Sequence, residues 1–121
     1  MKVLAALLLA ALAGCKEEGE TRADLRVVGG DPEAGRVAIA AIGCGVCHEI
    51  PGVTGANGVV GPPLEGFARR QFIAGVLPNR PGVLTHWVRE APALLPETAM
   101  PDLPIGEEQA RDIAAYLYTL R

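Results

Sequence analysis

Aromatic side chains are scarce in this sequence, and their scarcity is the first constraint on the fold. The 121 residues include one Trp, two Tyr and two Phe, so aromatics make up 4% of a chain that is 50% hydrophobic. A chain of this length forms one small domain, which buries a modest share of its surface. With so few large rings its core is thin. Part of the apolar content therefore serves another purpose, or the core is completed from outside.

The sequence also lacks runs of like charge and internal repeats. Eleven basic and fourteen acidic residues give a net charge of −3, and the only lysine after Lys2 is Lys16. A nucleic-acid-binding protein needs a basic face, so this class is excluded. The absence of repeats excludes an array of stacked units.

The one long apolar run lies at the N-terminus and is too short to span a membrane. It follows Lys2 and covers eleven residues, Val3 to Ala13, whereas a transmembrane helix needs about 20. The pattern predicts an export signal over residues 1–14. Its end, Leu12-Ala13-Gly14-Cys15, resembles the lipobox of bacterial lipoproteins, which implies a lipid on Cys15 and a location on the periplasmic side of a bacterial membrane. The alternative is an ordinary cleavage site followed by an unmodified cysteine.

Helix signals lie at both ends of the remaining chain. Asp31-Pro32-Glu33 combines a capping residue, a first-turn proline and an acid, and apolar residues then recur at helical spacing until Gly43. A second apolar stripe predicts a helix over Glu107–Leu120. Small residues on both helices predict that the two cross closely: Gly35, Ala38, Ala110 and Ala114. We expect a flexible, lipid-anchored tether over residues 15–30 and one domain over residues 31–121.

Between these helices, strand and long-helix signals are weak. Nine of the ten prolines lie between Pro51 and Pro104, which predicts short helices near residues 63–73 and 83–89 and argues against long helices and central strands. Alternation of strand length is absent, and only Leu25–Val28 could form a short strand. The predicted fold class is all-α, with long loops.

The chemistry-bearing motif is Cys44-Gly45-Val46-Cys47-His48, because C-x-x-C-H is the attachment signature of c-type haem. Two thiols three residues apart can add to the two vinyl groups on one edge of a porphyrin, and His48 can then bind the iron. A redox C-x-x-C pair would need a βαβ context. A zinc site would have only His86 as a fourth ligand. Both alternatives are weaker than haem, which would also supply the missing core.

A second iron ligand is predicted at Met100, since haem irons in electron transfer often take a methionine. Met100 is the only methionine after Met1 and lies in a proline-bracketed loop, where a core role has little support. The alternatives are that Met100 fills the core or that His86 is the ligand.

Taken in order along the chain, three segments resemble a class I cytochrome c. They are the Cys44–His48 motif, Gly61-Pro62-Pro63-Leu64, which is similar to the family's G-P-x-L segment, and Pro96–Met100, which is similar to its P-G-T-x-M loop. The resemblance implies a cytochrome c fold wrapped around one haem. It also implies that the Pro62 carbonyl accepts a hydrogen bond from His48 and that Leu64 packs on the haem face.

The same resemblance implies further haem contacts. Thr98 corresponds to a hydroxyl near a haem propionate, Trp87 to an aromatic near the haem, and Arg70 to a propionate partner, while Tyr116 corresponds to the aromatic that packs the last helix onto the first. Plain core packing for Trp87 and a solvated Arg70 are the alternatives. Glu97 departs from the family, which usually has Gly there. The lysine ring used for docking by mitochondrial-type cytochromes is also missing, so any electrostatic docking must use arginines or acids.

We therefore predict a single-electron carrier, not an enzyme, with iron cycling between Fe(II) and Fe(III) while bound by His48 and Met100. Its expected partners are redox proteins (a terminal oxidase, a quinol–cytochrome c reductase or a dehydrogenase) and a membrane surface, with no small-molecule substrate. One alternative is a haem enzyme or gas sensor with an open iron position. Another is an electron-relay subunit of an oxidase or dehydrogenase complex.

Overall fold

The computed structural model describes residues 22–121 as a helical domain with one small hairpin. The predicted export signal and Cys15 lie outside these residues. The elements are three helices, α1 (Pro32–Ile42), α2 (Pro81–Leu94) and α3 (Glu107–Leu117), and two antiparallel strands, β1 (Phe72–Ile73) and β2 (Leu77–Pro78). Short 3-10 turns form at Ala23–Leu25, Cys44–Val46 and Phe67–Arg69. The predicted all-α class is therefore confirmed at this level, with the hairpin as an addition.

Helix α1 begins and ends where its sequence predicts. The Asp31 side chain accepts hydrogen bonds from the backbone N–H groups of Glu33 and Ala34, at 2.8 and 3.2 Å. These donors have no partner inside the helix, so the cap stabilises its first turn. The helix stops at Gly43, which adopts a left-handed conformation (φ 87°) and closes the last turn by donating to Ile39.

The terminal helices α1 and α3 pack closely, as their small residues predict. At Gly35 there is no room for a Cβ, because the backbone carbonyl of Asp112 occupies that space. Ala110 and Ala114 are fully buried on the facing side of α3. The helix nevertheless ends at Leu117, three residues before the predicted end. Beyond it the chain turns, and the Leu120 carbonyl accepts from the N–H of Ala68.

Helix α2 contains the short helix that the sequence predicts near residues 83–89, because its backbone departs from helical geometry at Glu90. Pro81 occupies the first turn, where a missing N–H costs nothing. Pro92 lies in the last turn, and the helix is kinked at Glu90 (φ −137°, ψ 53°), which accommodates the second proline. The other predicted short helix, near residues 63–73, reduces to the 3-10 turn at Phe67–Arg69.

The strand prediction is also wrong in position. Residues 25–28 form no strand; Leu25 ends a 3-10 turn and is buried. The packed part of the chain thus begins within the segment predicted as tether. The strands β1 and β2 pair Phe72 with Pro78 and Ile73 with Leu77. Strands of two residues are too short to show alternation, which is why the sequence pattern misses them.

A single apolar cluster joins the helices to the loops around them. Its aromatic members are the buried residues Phe67, Trp87, Tyr116 and Tyr118. Phe67 and Tyr118 contact each other, with ring centroids 6.2 Å apart. Within residues 22–121, no helix is both long and apolar enough to traverse a bilayer.

Candidate functional site

The Cys44–His48 segment forms a tight turn directly after α1. The carbonyl of Cys44 accepts from the N–H groups of Cys47 and His48, at 3.2 and 3.0 Å. Both thiols are free and half-buried, and Cys44 packs against the core. Burial raises the pKa of the Cys44 thiol. Redox C-x-x-C motifs carry a cysteine with a lowered pKa, so this environment is unlike theirs.

The loop from Gly58 to Gly61 lies along this turn and is bonded to it at both ends. Gly58 donates to the Gly45 carbonyl at 3.0 Å, and Gly61 donates to the Cys47 carbonyl at 2.7 Å. A Cβ at Gly58 would overlap the backbone of Cys47. Glycine is therefore required for the two segments to approach this closely.

The imidazole of His48 is oriented by the next residue of the loop. Its Nδ1 lies 2.8 Å from the carbonyl oxygen of Pro62, the hydrogen bond that the resemblance implies. Because a carbonyl only accepts, Nδ1 carries the proton of the neutral ring and Nε2 has its lone pair available. Gly61 packs on the same ring, and a Cβ there would overlap it.

The following residues hold this loop in shape. Leu64 is half-buried against the core, and its N–H donates to the Glu49 carbonyl at 2.9 Å. The Arg70 guanidinium donates to the carbonyls of Pro63 and Glu65 and lies over the Phe67 ring, 5.4 Å from its centroid. Arg70 thus has a structural role that the sequence did not predict, rather than being simply solvated.

Met100 lies in the loop between α2 and α3. It is half-buried against the core cluster, and its N–H donates to the Thr98 hydroxyl oxygen at 3.2 Å. The preceding turn is closed by the Thr98 N–H, which donates to the Leu95 carbonyl. Ala74 is the only non-glycine residue with positive φ in the described chain. The turn through Glu97 is therefore not of type II, the type that would need glycine there.

The two remaining candidates lie on α2. Trp87 is buried in the core. His86, the rival ligand, is 46% exposed, and its Nε2 is 3.3 Å from a carboxylate oxygen of Glu90. Its environment is that of a surface ion pair.

Hydrogen bonds and close packing thus bring together five of the predicted residues: Cys44, Cys47, His48, Pro62 and Leu64. In the part of the chain that the structure describes, no hydrogen bond links Trp87, Thr98 or Met100 to this group. Nor do three His, Cys, Asp or Glu side chains converge there. The donor set consists of two free thiols on one turn and an imidazole with an available Nε2. This set fits a covalently attached haem, whose porphyrin nitrogens supply further iron ligands.

Sequence reasoning missed the buried Asn79. Its amide donates to the carbonyls of Phe67 and Arg70, at 3.2 and 2.9 Å, and its oxygen accepts from the Tyr118 hydroxyl at 3.0 Å. An Asn between a proline and an arginine is typical of a turn or a helix cap, so nothing in the sequence indicated this role.

No protein-family model matches this chain, and no curated protein matches it. The site is therefore supported by its own residues and their geometry.

Proposed function

We propose that this chain is a single-electron carrier with a cytochrome c fold, carrying one haem c. Cys44 and Cys47 would hold the porphyrin covalently, and His48 and Met100 would be the axial ligands of its iron. The protein would work on the periplasmic side of a bacterial membrane, anchored by a lipid on Cys15. It would exchange electrons with redox proteins such as a terminal oxidase or a quinol–cytochrome c reductase, without a small-molecule substrate.

The observation that carries this proposal is the orientation of His48 within a C-x-x-C-H turn. Iron ligation uses one ring nitrogen and requires the other to be fixed by a hydrogen-bond acceptor, which sets the tautomer and strengthens the ligand. Pro62 provides that acceptor at 2.8 Å. Gly61 and Pro62 are adjacent, so one short segment both packs on the ring and holds its Nδ1 proton.

The two cysteines are suited to attachment. Both are free and half-buried, on either side of one turn. Each thiol would add across one vinyl group: a C–S bond forms, and the hydrogen moves to the other vinyl carbon. The addition needs no oxidant, and it would leave no free thiol on Cys44 or Cys47.

Bound in this way, haem c supplies reversible one-electron chemistry at its iron. The chain's own residues would orient the ligand, since the Pro62 carbonyl holds the His48 ring. Met100 would provide the second protein ligand to the iron, from a loop whose backbone is held by Thr98. Leu64 and Trp87 contribute apolar surface to the same domain core. Ligation by both His48 and Met100 would leave no place on the iron for a substrate or a gas.

The test is the visible spectrum of the exported holoprotein. A His/Met haem c has a weak far-red iron–thioether band in the ferric state, which Met100→Ala should abolish. His86→Gln is the matched control and should leave the band unchanged, since His86 faces Glu90. Haem should remain attached after acid–acetone extraction and should be lost from a Cys44→Ser, Cys47→Ser variant. A high-spin wild-type spectrum, with ready binding of carbon monoxide, would contradict ligation by Met100.

A further inference from the structure

The hairpin formed by β1 and β2 ends in an uncharged, exposed tip that the electron-transfer proposal leaves without a role. Phe72 is 54% exposed and Val76 62% exposed, whereas Ile73 is buried and holds the hairpin to the core. From Phe72 to Pro78 no side chain carries a charge or a hydrogen-bonding group. Exposed apolar groups that lie together are a feature of surfaces that meet a partner or a membrane.

The turn at the tip has an apolar residue where a polar one is preferred. Ala74 (φ 50°) and Gly75 (φ 75°) both adopt positive φ, and the Val76 N–H donates to the Ile73 carbonyl at 3.2 Å. Turns with positive φ at both central residues favour Asn-Gly or Asp-Gly there. Alanine is disfavoured in the left-handed region, because its Cβ comes too close to the following carbonyl oxygen. The tip therefore lacks the polar residue that would stabilise it in water.

Arginines flank the base of the hairpin, before β1 and after β2. The Asn79 N–H donates to the Gln71 carbonyl at 2.9 Å, which brings the segment ending in Arg69 and Arg70 beside Arg80. Arg69 and Arg80 are exposed, and neither forms an ion pair within residues 22–121. Apolar side chains beyond two exposed arginines suit the bilayer interface, where acyl chains lie below phosphates.

The first described residues lie on this side of the domain. Arg22, the first described residue, pairs with Asp24 at 2.7 Å. The pKa of Asp24 is lowered first by that hydrogen bond and, more weakly, by the charge of Arg80 at the hairpin base. The seven residues from Cys15 to Thr21 reach at most about 25 Å when fully extended. A lipid on Cys15 would keep the hairpin side of the domain close to the bilayer.

We infer that the hairpin Phe72–Pro78 is a membrane-docking element: its tip enters the interface of the bilayer that holds the Cys15 lipid, and Arg69 and Arg80 meet lipid phosphates. This inference rests on the lipid anchor within the proposed function. Docking would limit tumbling of the domain on its tether and give it a preferred orientation toward membrane-bound redox partners.

The experiment places an environment-sensitive fluorophore on the tip. The lipidated holoprotein carrying Val76→Cys is labelled with a nitrobenzoxadiazole group and reconstituted into vesicles of phosphatidylethanolamine and phosphatidylglycerol. Val37→Cys on α1 is the matched control, since Val37 is similarly exposed at 55%. We expect the position-76 emission to shift to shorter wavelength on vesicles and to be quenched by nitroxide lipids. The position-37 label should instead be quenched by aqueous iodide.

Adding Phe72→Asp to the position-76 variant should remove the shift in emission and make the label accessible to quenching by iodide. Equal iodide quenching at positions 76 and 37 in wild-type background would overturn the inference. Two readouts on the same samples keep its failure separate from that of the proposed function. The haem spectrum tests the electron carrier, and cosedimentation with vesicles tests the anchor. If the label at position 76 is quenched by iodide while the spectrum and the cosedimentation are as expected, only the docking of the hairpin is refuted.

Discussion

The Nδ1 atom of His48 lies 2.8 Å from the carbonyl oxygen of Pro62, and the neighbouring Gly61 leaves the ring no free space on that side. A side chain at residue 61 would therefore act directly on the imidazole. The Pro62 carbonyl and the Gly61 backbone both constrain the ring. Because both are main-chain groups, only a change at residue 61 or elsewhere in the loop can disturb them without altering His48 itself.

We expect Gly61→Ala to displace the His48 ring, because the added Cβ would overlap it. Overpacking of this kind costs roughly 1–3 kcal/mol, so the free energy of unfolding of the holoprotein should fall by that amount, with a weaker far-red band. Gly82→Ala is the control: nothing lies within 4 Å of a Cβ there, and Ala in a first helical turn should be neutral or slightly stabilising. Equal stability and equal spectra for the two variants would show that Gly61 does not constrain the ring.

The parts of this fold that the sequence predicts correctly are those with local causes. Helix α1 has its cap at Asp31 and its stop at Gly43 in the sequence itself, and both act within one turn. The regular part of helix α2 ends at the kink at Glu90, close to its predicted end, with Pro81 in the first turn and Pro92 beyond the kink. The hairpin depends on contacts of Ile73 and Asn79 with the core. A local sequence pattern does not predict such long-range contacts.

The features of the candidate site likewise divide into those with local causes, which the sequence predicts, and those that depend on distant residues. The turn that joins Cys44, Cys47 and His48 follows from their spacing. The bond from His48 to Pro62 joins residues fourteen apart, so only the resemblance to cytochromes c indicated it. Whether Met100 reaches the iron depends on how a long loop closes over a haem, and that remains part of the proposal. Asn79 was missed because its partners come from two distant segments.

The close approach of α1 and α3 gives a stability prediction that is independent of haem chemistry. Gly35→Ala would place a Cβ against the Asp112 carbonyl, so the helices must separate. We expect the free energy of unfolding to fall by about 1–3 kcal/mol, measured by urea denaturation, with the haem spectrum of the folded protein retained. A variant as stable as wild type would mean that the helices can shift apart without loss.

Removing the buried amide of Asn79 should also destabilise the fold. In Asn79→Leu the carbonyls of Phe67 and Arg70 and the hydroxyl of Tyr118 lose their partner. An unsatisfied buried group costs about 1–3 kcal/mol, so we expect a total loss of at least about 2 kcal/mol in urea denaturation. Asn57→Leu is a suitable comparison, because Asn57 is exposed and its side chain makes no hydrogen bond within the described chain. A similar small loss in both variants would argue against the role of Asn79.

Attachment to the membrane should depend on Cys15. Wild-type protein labelled with radioactive palmitate in a bacterial host should carry the label and sediment with membranes, whereas Cys15→Ala should do neither. Cys44→Ser is the comparison for a cysteine that is predicted to bind haem and not lipid, and it should be labelled as strongly as wild type. Equal labelling of wild type and Cys15→Ala would refute the anchor.

Stability at high pH should depend on Tyr118, whose pKa is raised by burial. The unfolded chain ionises this phenol near its ordinary pKa of about 10, whereas the folded protein keeps the proton to a higher pH. Stability is therefore unaffected below about pH 10 and falls as the pH rises above it, by at most about 1.4 kcal/mol per pH unit for one group. Urea denaturation between pH 8 and 11 should show this fall, and Tyr118→Phe should reduce its slope. Some slope should remain in that variant, since burial also raises the pKa of Tyr116. Parallel pH profiles for wild type and Tyr118→Phe would show that the folded protein does not hold this proton more tightly than the unfolded chain.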